Sequence, residues 1–173
     1  IDKYFKTNVD GIYAIGDVIA GPMLAHKAQD EGIACVEHMA GKDGHINYDA
    51  IAGIIYTNPE LAGVGLTEEQ AKEQKLDYRV GRFPFRATGR AVANEEFDGM
   101  VKIIAEAKTD RILGGHVLQH TASELIAEIV SVIEFGGSSE DLARTTHAHP
   151  TLSEAVKEAA MNVEKRALHI LNR

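Results

Sequence analysis

The sequence predicts an α+β fold, an antiparallel sheet with helices, preceded by a separate strand and helix. Three observations carry this. Strand-like runs cluster in the middle of the chain, helical patterns follow them, and the polar, glycine-containing stretch Gly41-Lys42-Asp43-Gly44-His45-Ile46-Asn47 sets the first strand and helix apart. The break divides the chain into residues 1–46 and 47–173, and one strand with one helix is too little to close a core of its own.

Before the break, Ile12 to Ile15 reads as a short buried strand, with Gly16 and Asp17 at its C-terminal end, where ligands bind in open α/β sheets. A Gly21-Pro22 turn follows. Apolar residues at helical spacing then predict a helix from Met23 to Met39, so that Met23, Leu24, Ala25 and His26 supply free amides at a helix N-terminus, an end that favours negative charge.

After the break, the apolar segment Gly53 to Thr57 and the run Leu61-Ala62-Gly63-Val64-Gly65 open a mixed pattern. Thr67 with Gln70 three residues on predicts a capped helix. Tyr78 to Phe85 alternates like a strand. Met100 to Ala105 and Arg111 to Leu118, joined by Lys108-Thr109-Asp110, read as an antiparallel hairpin. A helix from about Ser123 to Phe135 buries Leu125, Ile126, Ile129, Val130 and Ile133 and ends at Gly136-Gly137. A short helix at Ser139 to Arg144 and a last one from Leu152 to about Leu171 complete the chain.

Composition sets bounds on function. With 173 residues and 45% hydrophobic content, the chain can bury a core and suits one domain plus an appendage. A formal charge of −8 argues against a nucleic-acid binder, because phosphates demand a positive surface. That acidity reads as a solvated surface or as a face for a basic protein partner. No apolar run approaches the length of a bilayer span, and no signal sequence is evident, so no membrane partner is expected. The one cysteine, Cys35, lies on the apolar side of the first helix, where a free thiol behaves as a small hydrophobe. A chain without disulfides fits a reducing compartment, a bacterial cytoplasm or a mitochondrial matrix.

The run His147-Ala148-His149-Pro150-Thr151-Leu152-Ser153-Glu154 carries the chemistry. Imidazole titrates near neutrality, and a carboxylate holding its far nitrogen fixes the tautomer and raises basicity, so His149 and Glu154 form an oriented general base. Thr151-x-x-Glu154 equally fits a capping box for the last helix, and the two roles are compatible. His147 and His149 on one face of an extended segment would suit a metal, but no cysteine or carboxylate cluster completes a shell, so no metal is expected. His116 and His120, flanking a strand end, offer nothing specific.

Taken together, these segments resemble the dihydrolipoamide dehydrogenase family of flavoprotein disulfide reductases. Thr7 to Asp17 is similar to the superfamily's second FAD motif, and Gly21 to Gly32 (GPMLAHKAQDEG) with His147 to Glu154 (HAHPTLSE) narrows the likeness to the lipoamide branch. Tyr56-Thr57-Asn58-Pro59-Glu60 and Arg82-Phe83-Pro84-Phe85 extend it over essentially the whole chain. Gln119-His120-Thr121-Ala122-Ser123 departs from the glycine-richer segment expected there, which bears on local loop geometry.

The resemblance implies the C-terminal portion of a longer enzyme, natural, proteolytic or engineered, comprising the last piece of an FAD-binding domain and an interface or dimerisation domain. The opening at Ile1 without a Met agrees with this, as does the absence of a Gly-x-Gly-x-x-Gly segment and of a Cys-x4-Cys pair. It implies FAD and NAD as cofactors, with Asp17 on the ribityl chain and Met23, Leu24, Ala25 and His26 beneath the flavin's pyrimidine ring. It implies a homodimer in which His149 and Glu154 of one subunit reach the flavin and disulfide of the other, a cis His149–Pro150 bond, and lipoyl-bearing acyltransferase or glycine cleavage proteins as partners. The isolated chain is then expected to be inactive. The alternatives are a dimerisation and partner-binding module only, or another disulfide reductase of the glutathione reductase kind.

Overall fold

The computed structural model describes residues 1–172. The chain forms two compact units, Ile1–Tyr48 and the part from Asp49 onward.

In the first unit, the expected strand at 12–15 is reduced to a single antiparallel bridge. Lys6 pairs with Tyr13, flanked by Thr7 N–H to Ile12 O at 2.9 Å and Ala14 N–H to Phe5 O at 3.0 Å, and Gly11 takes the left-handed turn position at φ +77. Ile12 and Ile15 are 53% and 37% exposed, contrary to the expectation of burial, because among the described residues only one short neighbour pairs with this segment and no sheet covers it. Helix α1 spans Ala25–Met39 and starts two residues later than expected. The reason is local: Gly21 sits at φ +116 before Pro22, and Leu24 is extended at the N-cap, its N–H given to Pro22 O at 3.1 Å. Its inner face packs Ala34 and Cys35 on Phe5, while Ile33, Val36 and Met39 on the other side are exposed. Burial pushes the Cys35 thiol up, so it is an inert packing group.

The second unit is a five-stranded antiparallel sheet in the order β1-β2-β5-β4-β3, with β1 Gly53–Ile55, β2 Glu60–Gly65, β3 Tyr78–Pro84, β4 Met100–Glu106 and β5 Ile112–Gln119. Each predicted strand is present, and β4 and β5 form the predicted hairpin, with Asp110 at φ +63 in its turn. Helices α4 (Ala122–Glu134) and α6 (Glu154–Val163) lie on one face of the sheet, α4 over β5 and β2, α6 over β3 and β4. Two glycines admit them. A Cβ on Gly81 would lie 2.0 Å from Ala159 O of α6, and one on Gly115 would lie 2.6 Å from Ile129 Cγ2 of α4. Between sheet and helices, Val101, Ile103, Val117, Phe83, Ile126, Ile129, Ala155 and Ala159 form the core.

Shorter helices are set by their caps. Thr67 and Gln70 exchange both bonds of a capping box at the start of α2 (Glu68–Glu73), and Ser138 with Asp141 does the same for α5 (Ser139–Arg144). Helix α3, Gly89–Ala93, is one turn without a side-chain cap, too short to leave a periodic signal. Helix α4 ends as predicted: Gly136 at φ +67 gives its N–H to Ile133 O, and Gly137 gives its own to Val132 O at 2.8 Å.

The last helix corrects the sequence expectation. It ends at Val163, not near Leu171, with Lys165 in the left-handed position (φ +55) and the N–H of Arg166 bonded to Met161 O. The same termination geometry appears with lysine where glycine is usual, so no glycine marked it. Beyond it the tail turns back onto the buried Glu158, whose carboxylate accepts the Leu168 N–H at 2.8 Å and meets His169 Nδ1 at 2.7 Å, and Ala167 enters the core. No helix among the described residues is long and apolar enough to cross a membrane.

Candidate functional site

The site in the second unit lies where the chain leaves α5 and enters α6. His149 Nδ1 is 2.9 Å from Glu154 Oε1, and the other oxygen of Glu154 accepts the Thr151 N–H at 2.8 Å. Glu154 is the first residue of α6, so its backbone is fixed by the helix while its carboxylate reaches back over the loop. The Thr151 hydroxyl does not cap Glu154; it donates to Ala148 O at 2.7 Å. Half of a capping box is therefore built, and the same carboxylate that builds it also holds the histidine. The structural and the chemical reading of the motif share one side chain.

Protonation follows from these partners. A carboxylate only accepts, so Nδ1 is the donor, and Nε2 of the neutral ring carries the free lone pair. The His149 side chain is 76% exposed, against 23% for Glu154. Burial pushes the Glu154 carboxyl up, but the Thr151 N–H and His149 outweigh it and hold it below the usual carboxylate range. It stays ionised at neutral pH, and the lone pair on Nε2 of the exposed ring is able to accept a proton from a group arriving from solvent. The His149–Pro150 peptide is cis, as is Asn58–Pro59.

His147 has a different role. Its side chain is 6% exposed, with Nε2 2.6 Å from Glu128 Oε1 of α4 and Nδ1 3.0 Å from Thr145 O, which also accepts from Lys157 Nζ at 2.9 Å. It braces the loop, and the two imidazoles share no ligand position. No group of three or more histidine, cysteine or acidic side chains that could hold a metal occurs among the described residues. His120 pairs with Glu96 at 3.1 Å. His116 is driven down by burial and then by the Lys102 charge, and its Nδ1 is buried without a partner. The segment flagged at 119–123 is held by Gln119, whose buried side chain accepts the Thr121 N–H at 2.7 Å, while Glu60 accepts the Ser123 N–H at 2.8 Å.

The first unit holds the other predicted residues. Asp17 is exposed on a one-turn 3-10 helix, Gly16–Val18. Met23 is 77% exposed, and Ala25 and His26 open α1, whose N-cap Leu24 provides no side-chain cap. Met23 and Leu24 thus precede the helix, and the Leu24 N–H is already used. An exposed carboxylate can accept from hydroxyls, and a helix start whose N-cap residue gives no side-chain cap favours negative charge, the two properties that a flavin's polyol chain and electron-rich ring edge would call for. Sequence reasoning missed the packing beneath this surface. Lys27 and Glu31 are fully buried and paired at 3.0 Å. Their i,i+4 spacing was visible, but such pairs usually lie on a solvated face.

Comparison with known proteins adds to this geometry. The family profile described as pyridine nucleotide-disulphide oxidoreductase, dimerisation domain, matches residues 51–160, and that of the pyridine nucleotide-disulphide oxidoreductases matches residues 1–32. The chain is 57% identical over 170 residues to the mitochondrial dihydrolipoyl dehydrogenase of Pisum sativum, covering 98% of this chain and 34% of that protein. It is 59% identical over 161 residues to the leghemoglobin reductase of Glycine max (93% and 31%), and 55% identical over 159 to the mitochondrial dihydrolipoyl dehydrogenase of Homo sapiens (92% and 31%). Among solved structures, LpdA of Mycobacterium tuberculosis superposes with a TM-score of 0.88 at 31% identity, over 94% of this chain and 36% of that one. The chain spans about a third of the length of the curated relatives it matches.

Proposed function

Because the chain belongs to the pyridine nucleotide-disulphide oxidoreductase family of dimerisation domains, we propose that it is the C-terminal part of a dihydrolipoamide dehydrogenase and supplies that enzyme's thiol base. The observation that carries this reading is the His149–Glu154 pair at 2.9 Å, mounted on the first turn of α6 and open to solvent through the imidazole. A dithiol substrate is a poor nucleophile until it loses a proton, since the thiolate and not the thiol attacks a disulfide. Nε2 of His149 takes that proton, and Glu154 keeps the ring in its tautomer and stabilises the charge it acquires.

A redox disulfide, FAD and NAD would complete the reaction in the parent enzyme, and a bound flavin would supply the two-electron redox chemistry. Cys35 is no part of that centre, being buried, with its thiol pushed up. In this unit, Asp17 would hold the ribityl chain of a flavin, and Met23, Leu24, Ala25 and His26 at the start of α1 would hold the edge of its pyrimidine ring. The base serves a disulfide on the other subunit, so a homodimer is required for turnover. Lipoyl-bearing acyltransferase or glycine cleavage proteins are the partners in this reading, in a mitochondrial matrix or a bacterial cytoplasm; the mitochondrial names of the relatives favour the former.

Substrate choice tests the reading. The full-length parent should oxidise dihydrolipoamide with NAD and leave glutathione disulfide with NADPH untouched; the reverse preference would assign the chain to a glutathione reductase-like enzyme.

A further inference from the structure

The buried Lys27–Glu31 pair is spent on the backbone of one residue, Gly16, gripping the peptide units on either side of it. Glu31 Oε2 accepts the Gly16 N–H at 2.7 Å, Lys27 Nζ donates to Gly16 O at 3.0 Å, and Lys27 Nζ meets Glu31 Oε1 at 3.0 Å. Oε1 also accepts the Tyr48 hydroxyl at 2.9 Å, so both carboxylate oxygens are satisfied. Burial pushes the Glu31 carboxyl up, but the Gly16 N–H, Lys27 and Tyr48 bring it below the usual range, while burial and Glu31 drive the Tyr48 hydroxyl up to about 12. Two ions withdrawn from water stabilise a fold poorly compared with apolar side chains of the same size, so the pair adds little as packing. What it does is hold the backbone. Gly16 is buried at φ +72, where an added Cβ would meet Ala28 Cβ at 3.2 Å, and without these partners its N–H would be left unpaired.

We propose that Lys27, Glu31 and Tyr48 are positioning residues that lock the Gly16–Asp17 turn in its cofactor-competent form before any flavin arrives. This rests on the reading of Asp17 as a flavin contact. A turn that samples other conformations binds more weakly in proportion to the time it spends out of place, so prior locking acts directly on affinity. The pair belongs to α1, whose start would hold the flavin edge in the same reading, so it also fixes Gly16 and its neighbour Asp17 relative to that helix.

The test uses the full-length flavoenzyme and reads flavin binding, not turnover. The double variant Lys27→Met with Glu31→Gln removes both charges together and avoids stranding one of them. The proposal expects an unchanged dimer and an unchanged melting profile of the flavin-stripped protein, with the FAD dissociation constant raised roughly tenfold or more. An unchanged dissociation constant in a folded variant overturns it. Should the variant not fold, hydrogen exchange on the flavin-stripped wild type decides: the Gly16 amide should be as protected as the amides inside α1, and exchange at the rate of an open loop overturns the proposal. A wild type that binds no flavin at all would instead remove the flavin reading of Asp17, leaving the exchange result to stand on its own.

Discussion

At the residue scale, Glu154 is tied to two partners that pull its chemistry in one direction. Its carboxyl, held below the ordinary value by Thr151 and His149 against the upward push of burial, contributes stability that is present above the unfolded value of about 4.3 and is lost as pH falls through the lowered folded one. Glu154→Gln should therefore flatten the loss of stability below about pH 4.3. It should also lower kcat/KM across the pH profile, by less than removing His149 does, because an amide no longer holds the Nδ1–H with a charge. A rate unmoved by this change would mean that Glu154 serves the helix alone. Both members of the pair were legible in the sequence, since five residues from His149 to Glu154 across a proline leave little freedom. The role of His147 was not, because its partner Glu128 is far away in sequence and only the packing of α4 brings the two together.

At the element scale, the site depends on where α6 sits. Gly81 of β3 lets the helix backbone approach the sheet, and a Cβ there would stand 2.0 Å from Ala159 O. Gly81→Ala should cost about 1–3 kcal/mol by overpacking, lower the melting temperature, and displace the helix whose first residue is Glu154. Thermal denaturation with the pH profile checks this; a variant with wild-type stability would show that β3 and α6 have slack. Strands and capped helices were readable because alternation, Thr67–Gln70 and Gly136-Gly137 are local signals. The end of α6 was not: lysine at φ +55 terminates it, and what favours the turn is the buried Glu158 capturing Leu168 and His169, a contact invisible to periodicity. The strand at 12–15 failed for the opposite reason. Its pattern is strand-like, but a strand exists only through neighbours, and one bridge is all that pairs with it among the described residues.

At the scale of the whole molecule, the second unit closes a core and carries the His149–Glu154 pair, while the first exposes Ile12, Ile15, Val18, Ile33, Val36 and Met39. An apolar helix face left open calls for a cover. In the proposed reading the rest of an FAD-binding domain supplies it, and the 173-residue chain alone should neither retain visible flavin absorbance after purification nor oxidise dihydrolipoamide. Flavin copurifying with the isolated chain would contradict this. The sequence places a break in the polar stretch at 41–47, and the chain forms two compact units, Ile1–Tyr48 and the part from Asp49 onward.

The most direct measurement is NAD-dependent oxidation of dihydrolipoamide by the full-length parent, wild type against His149→Gln, with dimer and bound flavin verified in both. The account predicts a loss of about 10²–10⁴-fold in rate with assembly intact. Undiminished turnover would contradict it and reduce the His149–Glu154 pair to a structural turn at the start of α6.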